Sequence, residues 1–396
     1  MYLQYHELSA RMTTKPVVFE QTYYAQDSGT LEQLRELSSR RKAWEEPRNG
    51  SNMAFAIARE IAGGETSPVA QEIGKVEKYL PLLENLVTRV IPEIDNPLVI
   101  KWTEELRLRW TSPLSGGFTK GKLFRVNDLV YEHVMTMWLY AGLLRERAFE
   151  MMDKGDLVEA SNILRKAAGV FQHLEEQILP PLQPRLPPER PPEVTTSMAK
   201  IWRILCLAEA QAVTARKAAE KQTSGGLLAK LHYGVVELLS QAAGLLREHL
   251  GDWNETSDKF RRWLGLNATL HETQCYRILA EDYRKQEKIG MAVALVRVAQ
   301  AKLLQTKPPG TALSSSEDVW KAAFKQEVDA VAVALKKYLH ENEFVFQQKI
   351  PDSKYDLPHL EGKTIVTAIT FQPSGLDRHF VFVETNEKRN PRSPKV

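Results

Sequence analysis

Along most of the chain apolar positions recur at helical spacing, and strand-like alternation is confined to short pieces near the start, around residue 108 and near the end. The run Pro16-Val17-Val18-Phe19-Glu20-Gln21-Thr22-Tyr23-Tyr24 is β-branched and aromatic and predicts an early strand or extended segment. Thr30, with Gln33 three residues on, predicts a capping box opening a helix through about Ala43. Residues 67–93 read as one or two helices, with Pro81 and Pro92 setting kinks or ends. Leu106-Arg107-Leu108-Arg109-Trp110 alternates before Ser112-Pro113 and predicts a short strand and a turn.

From Asn127 to Leu304 the pattern is one of helical hairpins. Residues 128–152 and 157–179 form one pair around Lys154-Gly155-Asp156, and residues 256–287 and 290–305 form another around Lys288-Ile289-Gly290. Each places aromatics (Trp138 and Tyr140; Tyr276 and Tyr283) in the first helix and alanines in the second. Small residues let helices approach while aromatics fill the gaps, the grammar of tetratricopeptide-type hairpins. The period is not strict, which predicts an irregular solenoid. Between these pairs, the prolines of Pro180–Pro192 predict an extended, polyproline-like loop. A last helix, opened by Ser314 with Glu317, is expected to run to about Asn342. Residues 362–384 alternate apolar and polar and predict an extended tail packed back along the solenoid, and the charged stretch from Asn386 is expected to be disordered.

Composition narrows the function classes. The 396 residues are 43% hydrophobic, which excludes global disorder and predicts two to three domains or one helical array. Lys plus Arg number 53 against 50 Asp plus Glu, a balance that argues against a nucleic-acid binder held by bulk electrostatics. Cys206 and Cys275 are the only cysteines, too few for a structural zinc site and consistent with a reducing compartment. The first residues carry no basic-then-apolar leader, Tyr2 stands where myristoylation needs glycine, and the last residues include no prenylatable cysteine. No apolar run reaches the ~18 residues of a membrane span. The expectation is a soluble, cytoplasmic protein whose membrane contacts are peripheral.

Candidate chemistry is sparse. Gly116-Gly117-Phe118-Thr119-Lys120-Gly121-Lys122-Leu123 nearly spells a phosphate-binding loop, but Leu123 stands where a hydroxyl must ligate magnesium. His271-Glu272-Thr273-Gln274-Cys275 starts like a metalloprotease helix and puts Cys where the second His belongs. Cys206 lies in an apolar stretch and is expected to pack rather than react. Adjacent pairs such as Glu104-Glu105 and Glu175-Glu176 read as solvated helix faces. The expectation is therefore no enzyme, no cofactor and no metal. Arg185-Leu186-Pro187-Pro188-Glu189-Arg190-Pro191 matches a ligand for an SH3-type groove, with Arg185, Pro188 and Pro191 as anchors, beside the plainer reading of an inter-helix loop. Over residues 226–248, Leu227, Leu231, Leu238 and Leu245 form one stripe of an apolar arc roughly 180° wide, against the ~100° that one core contact uses. That helix is either buried on two sides or lines a groove for a partner helix.

Several ordered blocks then resemble one family. Ala167-Ala168-Gly169-Val170-Phe171-Gln172-His173-Leu174-Glu175-Glu176, Leu207-Ala208-Glu209-Ala210-Gln211-Ala212-Val213 and Leu228-Ala229-Lys230-Leu231 resemble central helices of the Bro domain of endosomal-sorting adaptors. Phe344-Val345-Phe346, Lys349-Ile350-Pro351 and Glu361-Gly362-Lys363 are similar to its end, and Pro16-Val17-Val18-Phe19 and Leu108-Arg109-Trp110-Thr111 to its opening. The resemblance implies a mainly all-α, boomerang-shaped, tetratricopeptide-like solenoid with small flanking β-strands over residues 16–384. Residues 1–15 would then be an N-terminal extension and 385–396 a basic tail. It further implies an adaptor in multivesicular-body sorting, peripherally associated with endosomes and with anionic membrane within reach. An apolar patch on such a domain receives the C-terminal amphipathic helix of an ESCRT-III subunit. Leu227 and Leu231 match the aliphatic heart of that patch, Thr214 falls where the family's best-known member has phenylalanine, and Leu335 matches a further contact on the last helix. Burying two leucines would contribute ~3–6 kcal/mol before ordering costs. The alternative is a tetratricopeptide-like scaffold without ESCRT-III binding that uses its proline loop or another face.

Overall fold

Short polar side chains that take up the free N–H groups of a first helical turn mark where several helices start. The computed structural model describes residues 3–5, 17–49, 67–91, 97–115, 122–125, 128–248, 256–306, 315–351, 356–376 and 378–383. Helix α1 (Ser28–Asn49) is capped by Asp27, whose Oδ1 accepts from the Thr30 amide at 2.7 Å. Thr30 is thus the capped residue and not the cap expected of it, and Gln33 reaches the His379 carbonyl instead. Helix α2 (Pro68–Val90) begins at Ser67, which accepts from the Ala70 amide, and runs unbroken through Pro81. Buried Tyr79, Leu80, Leu82 and Leu83 hold the turns on either side of that proline in place. Helix α3 spans Pro97–Glu105, and strands β1 (Arg109–Ser112) and β2 (Lys122–Arg125) pair as a two-stranded sheet. The strand expected over Pro16–Tyr24 is not formed: Phe19–Thr22 is a single helical turn, closed by Tyr23 N–H to Phe19 C=O at 2.8 Å. The turn buries both Phe19 and Tyr23, and pairing is left to Ala25, which bridges Phe382. The glycine-rich segment Gly116–Gly121 lies outside the described residues, as do Ser314 and Pro92.

Helix α4 (Leu129–Asp153) turns at Gly155, whose φ of +82° only glycine adopts without strain, into α5 (Leu157–His173), capped by Asp156. Five residues of π-helix, Leu174–Ile178, extend α5, and then the proline segment departs from the expected extended loop. Leu179–Leu182 is a helical turn and Gln183–Arg185 and Pro192–Val194 are 3₁₀ turns. Pro180 and Pro181 occupy first-turn positions, where no amide donor is needed. Helices α6 (Thr196–Glu220), α7 (Gly225–Glu248), α8 (Asp258–Lys285), α9 (Ile289–Gln305) and α10 (Ser315–Glu341) complete the order. From α5 to α10 each helix packs on the next. The mainly helical solenoid with small strands is the fold expected.

The chain divides into two compact units: Met1–Ala10, Ser112–Lys122 and Trp138–Phe371 form one, and Arg11–Thr111, Leu123–Met137 and Gln372–Val396 the other. In the second unit Arg41 is buried between Glu132 (2.8 Å) and Glu45 (2.6 Å), while the Trp110 indole donates to Glu132 at 2.8 Å. Burial opposes the Arg41 charge, but Glu132, Tyr79 and Glu45 outweigh it. In the first unit the core centres on Trp202, flanked by Trp263 and Phe260, with the Arg145 guanidinium 4.7 Å from its ring centre. Leu3 and Tyr5 are buried in this core, so the opening residues supply core side chains. The Trp263 indole donates to the Leu3 carbonyl at 2.7 Å.

Candidate interaction surface

Helices α5, α6 and α7 of the first unit carry the face to which the chain's own extended segment adheres. Gln211 on α6 donates to the Lys363 carbonyl (2.8 Å) and accepts from the Ile365 amide (3.1 Å). Lys230 on α7 accepts from the Lys363 amide, and Arg165 on α5 donates to the Thr367 carbonyl and accepts from the Ile369 amide. Backbone comes this close because two helix positions lack a side chain. A Cβ on Gly169 would lie 1.8 Å from the Ile369 oxygen, and one on Gly234 2.9 Å from that of Lys363. The tail therefore packs back along the solenoid, as its alternation predicts.

The two leucines expected to act together differ in exposure. Leu231 is only 4% exposed, in the turn of α7 that the tail crosses, and its carbonyl accepts from Gln211. Leu227, one turn earlier, is 38% exposed. Thr214 is half-buried one turn past Gln211, and its hydroxyl donates to the Ala210 carbonyl and lies 3.3 Å from Ser161 Oγ. Ser161 stands one turn before Arg165, so Ser161, Thr214 and Leu227 form a level beside the one the tail occupies. Leu335 is half-buried on α10.

A cleft of about 430 Å³ opens on the other side of Leu227, among α7, α8 and α10. Leu228, Ile278, Val333 and Ala334 supply apolar walls, and Arg277, Lys285 and Lys337 bring positive charge. Tyr338 donates to Glu281 at 2.7 Å. Hydrogen bonds from Arg284, and then from Tyr338, hold the Glu281 carboxyl down to about 2. Arg277 is engaged with Glu327 through two contacts, at 2.9 and 3.3 Å. Val333 is 68% exposed, so this wall faces solvent. The cleft residues were not singled out from sequence. The signal was the Leu227-Leu228 step, since consecutive helical residues point about 100° apart and serve two faces.

The remaining sequence candidates sit apart from this surface. Arg185 and Pro188 are exposed, while Pro191 is buried, so the loop as folded presents two of its three anchors. His271 and His232 face each other with Nδ1 atoms 3.2 Å apart, and burial lowers the pKa of both, that of His232 to about 4. Cys275 donates to the Ala229 carbonyl, and burial pushes its thiol up to about 12. Cys206 is buried and likewise raised. Glu193 is buried against Ser112 and the Leu114 amide, and loss of water raises its carboxyl to about 7. Among the described residues no helix is long and apolar enough to cross a membrane.

The BRO1-like domain model matches residues 19–391. The chain belongs to the BRO1-like domain family. Among curated relatives, human BRO1 domain-containing protein BROX is 28% identical over 294 residues, covering 68% of each chain. Among solved structures, the BRO1 domain of ALIX in a complex with CHMP4C superposes with a TM-score of 0.63 over 95% of this chain and 97% of that one, at 16% identity. A Bro1 domain solved as a structural basis for endosomal targeting gives 0.62 over 93% and 94%, also at 16% identity. The BRO1-like fold thus extends over nearly the whole chain and places α7, with its exposed and its covered leucine, inside it.

Proposed function

We propose that this BRO1-like chain is an interaction module and not an enzyme: a cytoplasmic adaptor, peripherally associated with endosomes, that docks the C-terminal amphipathic helix of an ESCRT-III subunit. The observation that carries this reading is the first turn of α7. Leu227 is turned to solvent there and Leu228 into a 430 Å³ cleft whose apolar walls are bordered by Arg277, Lys285 and Lys337 and by the carboxylates of Glu281 and Asp282. A helix with apolar residues one turn apart would fill the cleft and cover Leu227, while acidic residues on its flank would meet Lys285 and Lys337. The ALIX domain of the same fold was solved with CHMP4C, which supports a partner of this class. Thr214 and the covered Leu231 shrink the apolar area on the tail side, so the contact shifts toward the cleft. Burying Leu227 together with Val333 would contribute ~3–6 kcal/mol gross, enough for micromolar affinity after ordering costs.

Titration with a fluorescent peptide of that ESCRT-III helix tests the reading. Saturable binding is expected at micromolar concentration, weakened at least tenfold by Leu227→Asp and by Val333→Asp, with circular dichroism unchanged because both side chains are exposed. Absence of wild-type binding at high micromolar peptide would overturn it for this helix. The burial of Leu231 favours a second reading, a scaffold whose ESCRT-III patch is closed and whose Arg185 and Pro188 loop or another face serves instead.

A further inference from the structure

From Lys363 to Ile369, past the Gly362 amide that donates to Glu237, the tail that crosses α5, α6 and α7 bonds to described residues along one edge. Its five bonded backbone groups between Lys363 and Ile369 are the Lys363 N–H and C=O, the Ile365 N–H, the Thr367 C=O and the Ile369 N–H. All belong to odd-numbered residues. In an extended chain the N–H and C=O of one residue point the same way and those of the next point oppositely, so this strict alternation shows that the segment runs as a strand. Among the described residues, Thr364, Val366, Ala368 and Thr370 form no hydrogen bond through their backbone groups. Their amides and carbonyls make up a second edge, turned away from the helices.

Such an edge is normally blunted by lysine, proline, a bulge or a covering element. None of the first three interrupts Thr364-Ile365-Val366-Thr367-Ala368-Ile369-Thr370, an uncharged run rich in β-branched residues. Thr364, Thr367 and Thr370 are exposed and Ile365 is 51% exposed, whereas Ala368 and Ile369 are half-buried and the Val366 side chain is buried. The run also reads nearly the same from both ends about Thr367. Thr364 corresponds to Thr370, Ile365 to Ile369, and Val366 to Ala368.

We infer that residues 364–370 are a docking edge for the same segment of a second copy of this chain, paired antiparallel about a two-fold axis at Thr367. The parity is correct. In that register Thr364 faces the partner's Thr370 and Val366 faces the partner's Ala368, so every hydrogen-bonded pair is made of the even residues whose groups are free. Isoleucine meets isoleucine and threonine meets threonine, the like-with-like pairs of a self-complementary interface. Thr367 falls in a non-hydrogen-bonded pair with itself, where opposed Cα atoms stand about 4.5 Å apart. The contact is small, so the dimer is weak, forming on the order of 100 μM, and it does not depend on the ESCRT-III reading.

Cross-linking of the full chain tests the register. A Cα separation of about 4.5 Å accommodates a disulfide, so Thr367→Cys is expected to give a covalent dimer under mild oxidation. Ile365→Cys on the same exposed strand is expected to stay monomeric, because its counterpart in the second copy lies about 13 Å away along the strands. The native Cys206 and Cys275 are buried and add no background. Sedimentation velocity supplies a second readout. Wild type is expected to show dimer as concentration rises toward the order of 100 μM, and Ala368→Pro, which removes a free edge N–H and none of the five bonds to the helices, to remain monomeric. Equal cross-linking at 365 and 367, or a wild type that stays monomeric throughout, would overturn the inference.

Discussion

The helical core around Trp202 and the tail across α5 to α7 are held by opposite means. In the core, side chains do the holding. Arg145 lies 4.7 Å from the Trp202 ring centre, with its Nε donating to Glu209 at 2.8 Å and its Nη1 to the Tyr5 carbonyl. In the tail, the five bonds to the helices use backbone groups, and between Glu361 and Phe371 only Val366 is buried. The difference teaches where mutation is felt. A core change alters charge pairing or volume in a water-free space, whereas a tail change matters only through the room and the partners its backbone needs.

The largest break of that comparison is Arg145→Met. Leaving Glu209 buried without its partner is expected to cost about 3–5 kcal/mol in urea unfolding, and Arg145→Met with Glu209→Met to recover most of it. A single-variant loss below about 1 kcal/mol would mean that the core, like the tail, does not depend on its side-chain partners.

Buried His232, with His271 beside it shifted in the same direction, and buried Glu193 give the core an opposed pH response. His232 titrates near 4 when folded against 6.5 as its ordinary value, so the unfolded chain binds more protons and stability falls as pH drops from 6.5 toward 4. Glu193 titrates near 7 against 4.5, so the folded chain holds more protons and stability falls as pH rises from 4.5 through 7. Each group's slope is at most about 1.4 kcal/mol per pH unit, and between 4.5 and 6.5 that of Glu193 opposes those of the two histidines. Glu193→Gln is expected to unmask falling stability on acidification, and His232→Phe with His271→Phe falling stability on alkalinisation, both read from urea midpoints at pH 4.5, 5.5 and 6.5. Unchanged profiles in both variants would assign the slopes to other groups.

Gly169→Ala probes the tail with the smallest global effect. The added methyl must displace the Ile369 carbonyl, while the helix gains about 0.5–1 kcal/mol of propensity. Hydrogen exchange of the Lys363, Ile365 and Ile369 amides is expected to speed up about tenfold while the global unfolding midpoint moves little. Loss of cooperative unfolding instead would show that the tail is integral to the core.

Much of this was legible from residues. The hairpins α4–α5 and α8–α9 follow from apolar spacing and from Gly155, because a helix face repeats every few residues and needs no distant partner to declare itself. The alternation of Thr364–Ile369 likewise announced an extended tail. Misread elements were short: Val18 through Tyr24 has strand composition, yet Phe19–Thr22 closes as a helical turn, with the Phe19 amide donating to Ser38 and both Phe19 and Tyr23 buried. Thr30 looked like a cap until Asp27 proved the better acceptor.

The candidate site divides along the same line. The apolar arc of α7 was set by the order of its residues, since helix geometry alone assigns each leucine to a face. Which leucine meets solvent was not, because Leu227 and Leu231 are chemically equal and lie one turn apart on one stripe. That depends on what packs against each turn of α7: Leu231 shares the buried arc of Val235, Leu239, Ala242 and Leu246, while a segment more than a hundred residues later reaches the neighbouring face through the space left at Gly234 and the donor and acceptor of Gln211. Periodicity is a local property and survives in one dimension; coverage is a contact between distant residues and exists only once the chain has folded.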